Sequence, residues 1–324
     1  MVDQESSWIL RRRTVPGEQA GIRLDAFVRC LLPHLSRREA ENAIDKKFFH
    51  IDGKPGKKGE RLPAGAVVSF IGPEPWLSKK PLPNPQLQVP IIYEDPHLLI
   101  VDKPARMDTH GFSGRDTQTL ANFLAAERPD LLAVGKSRWE PGLVHRLDRE
   151  TSGLVLIAKT HRAFERLRRE FGRRQIRKSY WALAWGVTAA EGCISYPIAH
   201  DTRDKRRMQA LLNSKKRMTK QRSWKALTRF RKLKDAPGLS LVEIEMETGV
   251  THQIRVHLAS IGHPIVGDSL YGAEHLETFG LQRHFLHARR LEFQHPETGR
   301  TVKAETGLPA DLRAVLKKLD LTDC

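Results

Sequence analysis

Cysteine is scarce: Cys30, Cys193 and Cys324 are the only three in 324 residues, and they lie far apart. Without a CxxC pair, neither a zinc site nor a disulfide framework is expected, and a reducing, cytoplasmic setting suits such thiols. Long apolar runs are missing too. None approaches the roughly 20 residues that span a bilayer, and neither terminus reads as an amphipathic anchor, so no membrane partner is expected. The opening MVDQESSW carries acids and lacks the apolar stretch of a secretory signal. Acidic side chains are outnumbered, 38 Asp and Glu against 55 Lys and Arg, leaving a formal charge of +17. That excess implies a polyanionic partner, nucleic acid first. The apolar share of 40% is ordinary, so the chain can bury a substantial core.

The signatures of several enzyme classes are also missing. His252 and His257 are five apart, with Gln253 where HExxH needs Glu, and His284 and His287 should point to opposite faces of a strand. Gly53, Gly56, Lys57 and Lys58 do not meet the spacing of a phosphate loop, and HRLD has no other kinase element beside it. Neither a nucleophile elbow nor a GxGxxG after a strand is found. No metal and no cofactor is therefore expected.

Proline is densest in GPEPWLSKKPLPNPQLQVP at 72–90. Helix and central strand are both disfavoured there, and 73–88 is expected to be a semi-rigid linker. After an N-terminal extension over 1–18, residues 19–72 form a small unit. In it, RLDAFVRCLLP sets Leu24, Phe27, Val28, Leu31 and Leu32 at helical spacing and stops at Pro33. Ser36 should cap a second helix that buries Ala40, Ala43, Ile44 and Phe48 and turns Arg37, Arg38, Lys46 and Lys47 outward. A hairpin follows, from FHIDG to AVVSFI, with Lys57 and Lys58 in its turn. This basic face can hold a structured phosphate backbone; a solvated charged face is the alternative.

Over 89–324, strands outnumber helices and do not alternate with them strictly. IIYED, HLLIVDKP, GLVLIAK, KSYWALAWGV, CISYPI, KALTRFRKL, GLSLVEIEMET, HFLHARRLEF and RTVKAE read as strands, and 117–129, 161–174, 251–262 and 309–319 as helices. The pattern predicts an α+β fold with a mixed, mainly antiparallel central sheet.

Three features could carry chemistry. Asp148, ahead of the turn-forming Thr-Ser-Gly and a buried strand, should sit on a loop at the sheet edge; an Asx turn or a local salt bridge is the alternative. Tyr180 shares its strand face only with Ala182 and Ala184, which leaves room for a planar group to stack; a core tyrosine is the alternative. Thr251 should cap a helix with Ile254, Val256, Leu258 and Ile261 as its apolar stripe, and Arg255 falls in its first turns, against the helix dipole. Such an arginine usually has another partner, and a carboxylate held by it stays ionised even in a dry pocket. An exposed Arg255 is the alternative.

HRLDRETSGLVLIAK, RKSYWALAWG, ETGVTHQIRVHLASIGHPIVGDSLYG and RHFLHARRLEFQHPETG, in this order, resemble the RluA-type family of RNA pseudouridine synthases, and IIYEDPHLLIVDKPA resembles that family's opening strand pair. Residues 19–71 resemble the alpha-L, or S-four-like, RNA-binding domain that often precedes it. The resemblance implies a cofactor-free isomerase that detaches uracil from ribose, rotates it and rejoins it through carbon five. It implies Asp148 as the invariant aspartate, attacking the sugar or assisting proton removal. Tyr180 would be the tyrosine of the K-x-Y motif, stacking on uracil and a candidate aid to proton abstraction. Arg255 would pair with Asp148, and Arg146 would fill the gap left by the flipped nucleotide. His145 and His252 fall among the RNA contacts, with loop bracing as the alternative for His145. The implied partner is RNA, ribosomal RNA of the large subunit ahead of transfer RNA, bound by a monomer. A non-catalytic RNA-binding or ribosome-assembly protein on the same fold is the competing class, although binding alone needs no such combination of acid, aromatic and cation. Two departures stand out: Arg106 occupies a usual glycine position, and the stretch 203–222 is unusually long and basic. Both are expected to face RNA.

Overall fold

The computed structural model describes residues 8–32, 35–73, 80–111, 116–137, 139–212, 221–275 and 277–322. The chain divides between Leu82 and Pro83 into two compact units. No described helix is long and apolar enough to cross a membrane.

The first unit opens with β1 (Trp8–Thr14), followed by α1 (Leu24–Leu31), α2 (Arg37–Asp45), β2 (Phe49–Ile51), β3 (Lys54–Pro55) and β4 (Val67–Pro73). Its sheet has the order β1-β4-β2-β3. The expected extension over 1–18 is thus corrected from Trp8 onward: β1 pairs antiparallel with β4 from Trp8 opposite Pro73 to Thr14 opposite Val67. Three consecutive arginines at 11–13 mask the alternation that marks a strand, and pairing with β4 overrides it. The helices follow expectation. Ser36 and Glu39 form a reciprocal capping box on α2, and Leu24, Phe27, Val28, Ala40, Ala43, Ile44 and Phe48 are buried in one core with Phe70. Pro33 lies outside the described residues.

The second unit contains β5 (Ile91–Glu94), β6 (Leu98–Lys103), α3 (Leu120–Glu127), β7 (Ser152–Ala158), α4 (His161–Gly172), β8 (Arg177–Trp185) and β9 (Glu191–Ile194). It continues with β10 (Ile198–His200), β11 (Met208–Ala210), β12 (Ser223–Trp224), β13 (Thr228–Ala236), β14 (Leu239–Met246), α5 (Gln253–Ser260), β15 (Leu286–Gln294), β16 (Thr301–Glu305) and α6 (Ala310–Lys318). The expected α+β architecture is present, with a nine-stranded sheet ordered β5-β6-β7-β15-β8-β14-β13-β9 and β16 beside β15. Among the described strands of this sheet only β7 and β15 run parallel, touching through His287 opposite Ser152 and Ala288 opposite Gly153. From Arg290 onward β16 takes the place of β7 along β15, so the sheet forks where β7 begins.

Four expectations are corrected here. The linker ends early: of 73–88, residues 74–79 lie outside the described residues, whereas Asn84 is fixed by hydrogen bonds to the Asn122 and Thr117 carbonyls. The strand read at 193–198 breaks in two, because β9 pairs with β13 while β10 leaves for a three-stranded sheet with β11 and β12. Thr251 does not cap α5; the helix starts after His252, whose backbone is left-handed (φ 56°) and which supplies no side-chain cap. Nor is there a single apolar stripe on α5. Ile254 and Leu258 join the main core, while Val256 joins a smaller cluster with Ile198, Met208 and Tyr271.

Candidate active site

Asp148, Tyr180 and Arg255, of which the first and last are 107 residues apart along the chain, line one cavity of about 370 Å³ together with His145, Arg146, Lys178 and His252. That volume suits a small organic group. Arg255 is buried, 8% exposed, which removes the exposed alternative. Its tighter partner is not Asp148. Nε and Nη2 donate to Oδ2 and Oδ1 of Asp268 at 2.7 and 2.8 Å, and only Nη1 reaches Asp148 Oδ2, at 3.4 Å. The expected pair is therefore a relay in which a fully buried acid fixes the guanidinium that faces Asp148. Burial would push the Asp268 carboxyl up, but Arg255 outweighs it and holds it below the usual range.

His252 adds a second group near the acid, with Nε2 3.8 Å from Asp148 Oδ2. Its Nδ1 lies 2.8 Å from the Tyr271 hydroxyl, which accepts a hydrogen bond from the Met208 N–H at 2.8 Å. When the hydroxyl donates to Nδ1, the neutral ring carries its proton on Nε2 and turns it toward Asp148. Burial, more than any neighbouring charge, disfavours the protonated ring. Tyr180 is 4% exposed, and burial, assisted by Asp148, raises its phenol above the ordinary value. The phenol keeps its proton, so its ring offers a stacking face and its hydroxyl is poorly suited to act as a base. Arg146 is exposed at the cavity, and its guanidinium has no hydrogen-bond or ion-pair partner among the described residues.

The loop carrying Asp148 is held almost residue by residue. His145 Nε2 accepts from the Leu156 N–H at 2.9 Å, and its ring lies 5.0 Å from that of Phe171. Burial pulls this imidazole down to about 3, so it stays neutral and can accept; the geometry is that of the bracing alternative. Thr109 Oγ1 donates to the Leu147 carbonyl at 2.8 Å and accepts from the Leu147 N–H at 3.1 Å. The buried Lys103 ammonium donates to the carbonyls of Pro104, Met107 and, at 3.4 Å, Arg149. Arg283 donates to the Glu150 carbonyl at 3.1 Å. Thr151 bonds His284 Nε2 at 2.8 Å and Ser152 bonds His287 Nδ1 at 2.9 Å. Thr-Ser-Gly is consequently not a simple turn: Ser152 and Gly153 already belong to β7. Gly153 has φ +117°, and any Cβ there would overlap the Ala288 backbone where β7 meets β15.

The remaining expected residues belong to the first unit. Arg37 and Lys58 are exposed but both pair with Glu41, at 3.0 and 2.8 Å, while Arg38, Lys46, Lys47 and Lys57 are exposed. In the basic stretch 203–222, residues 213–220 lie outside the described residues. Asp268, Tyr271, Thr109, Lys103, Lys178, His284 and Thr151 were not singled out by the sequence reading as part of the site. For Asp268 one signal existed, the unfavourable place of Arg255 on its helix, which calls for an anion without saying which.

Residues 97–260 match the model of the RNA pseudouridylate synthase family. An uncharacterized RNA pseudouridine synthase of Chloroflexus aurantiacus is 39% identical, covering 94% of this chain and 92% of its own. The ribosomal large subunit pseudouridine synthase D of Nitrosomonas europaea is 34% identical over 94% and 87%. Among solved structures, human RNA pseudouridylate synthase domain containing 1 superposes with a TM-score of 0.56 at 27% identity, over 70% of this chain and 87% of that one. The chain belongs to the RNA pseudouridylate synthase family and is an isomerase of uridine in RNA.

Proposed function

We propose that the protein converts uridine to pseudouridine in large-subunit ribosomal RNA, with Asp148 as the catalytic carboxylate and the target nucleotide flipped into the cavity. The observation that carries this reading is the approach of the Arg255 guanidinium to Asp148 at 3.4 Å inside the cavity that Tyr180 also lines. The relatives named as large-subunit synthases support the choice of RNA.

In the reaction the bond from ribose C1′ to uracil N1 breaks with its electron pair on the base. Asp148 either bonds C1′, through a bond that breaks again when C5 attacks, or assists removal of a sugar proton that is returned to the sugar once C5 has bonded. The base rotates, C5 bonds C1′, the C5 proton leaves and N1 takes up a proton, so the product is an isomer. Arg255 orients Asp148, and Tyr180 stacks on the base. Arg146, exposed at the cavity, is suited to fill the gap in the RNA. Flipping costs a few kcal/mol, which phosphate contacts of a strongly basic protein offset. The first unit, with Arg38, Lys46, Lys47 and Lys57 exposed, supplies such contacts as an S-four-like RNA-binding domain. Pseudouridine mapping in ribosomal and transfer RNA from cells with and without the protein tests the target. Loss of a large-subunit site supports it; loss confined to transfer RNA overturns it.

A further inference from the structure

Lys178 lines the catalytic cavity and takes no part in the chemistry above. It precedes Tyr180 by two residues on β8, so both side chains leave the same face, with Cα atoms about 6.5 Å apart at ordinary strand spacing. The residue is 7% exposed. Its ammonium donates to the Thr248 carbonyl at 3.2 Å and lies 5.6 Å from the centre of the Phe171 ring. An ammonium has further donors to place, and no carboxylate forms a salt bridge with it among the described residues. Glu247, in the same cavity, is drawn instead toward Arg229 at 3.2 Å and Arg174 at 3.8 Å. Around Lys178 stand the neutral His145 from the catalytic loop and Arg168 from α4, which donates to the Val144 carbonyl. Burial alone pulls the amine down to about 8. A buried cation without a counter-ion is costly unless a ligand completes its surroundings.

We propose that Lys178 is a further catalytic residue, whose ammonium donates to a carbonyl oxygen of the flipped uracil and bears the negative charge that the base acquires on leaving ribose. This rests on the pseudouridine synthase reading. When the C1′–N1 bond breaks, its electron pair spreads from N1 onto the ring oxygens. A donor fixed beside Tyr180 stabilises that anion more than the neutral base, which is what accelerates a reaction. No proton leaves Lys178. The charge returns to zero once C5 bonds C1′, the C5 proton departs and N1 is protonated.

The test uses the full-length protein, Lys178→Gln and Lys178→Arg, and an unmodified large-subunit ribosomal RNA transcript tritiated at uridine C5. Single-turnover tritium release is followed from about pH 6 to about 10, beside RNA affinity and melting temperature. Lys178→Gln should be slower by about 100-fold with affinity within about two-fold. Lys178→Arg should keep at least about a tenth of the rate. The wild-type rate should fall as pH rises through about 8, because the amine loses its charge there, while the arginine variant should hold its rate to higher pH. An active Lys178→Gln, or a loss of affinity as large as its loss of rate, would overturn the role and assign Lys178 to the fold or to a phosphate. Wild-type protein that releases no tritium would overturn the functional reading itself.

Discussion

Asp148 and Asp268 share one guanidinium, and their burial assigns them different work. The Asp148 side chain is 22% exposed at the cavity and the Asp268 side chain 0%. Asp148→Asn should therefore abolish turnover while melting temperature stays within about 2 °C of wild type, since surface-facing isosteric changes cost little. Asp268→Asn strands the buried Arg255 charge and should cost about 3 kcal/mol in urea unfolding as well as activity. Equal melting temperatures for the two variants would contradict this division. The acid, the aromatic and the cation were legible from charge placement and strand alternation. Asp268 was not, because an acid after Gly267 reads as a turn residue until the fold brings it to Arg255.

At the scale of elements, the loop carrying Asp148 depends on the pairing of β7 with β15. Gly153→Ala should destabilise by about 2 kcal/mol or more, since it meets both an unfavourable φ and the Ala288 backbone. A neutral effect on unfolding would refute that reading. Three histidines brace the same region, His284 and His287 buried and His145 half-buried, and loss of hydration pulls His145, His284 and His287 down to about 3, about 3 and about 4. Their folded values lie below the unfolded value near 6.5, so the stability they contribute is intact above that pH and is lost as pH falls toward 4. The unfolding free energy from urea titrations should drop between about pH 7 and about 4.5, by a few kcal/mol in all, and a flat profile would contradict it. Most strands and helices were readable from periodicity and caps such as Ser36. The breaks at 195–197 and at His252 were not, because they arise where β10 and α5 serve a second small core rather than the main sheet.

For the molecule as a whole, the charge of +17 sets how RNA is approached. Reversing Arg38, Lys46 and Lys47 to Glu in the full chain should weaken binding to structured RNA by about tenfold or more at low salt and flatten the salt dependence, with melting unchanged. An unaltered salt slope would remove the first unit from the RNA interface. Composition made the polyanionic partner legible, but not that residues 8–14 complete the first unit's sheet, nor that 83–90 is held against the second. Both depend on pairing between distant segments. The account as a whole turns on one carboxylate in one cavity. Its most direct test is pseudouridine formation in unmodified large-subunit ribosomal RNA by wild-type protein and by Asp148→Asn at matched RNA occupancy. Product with the wild type and none with the variant is the predicted result; product from both would contradict the account.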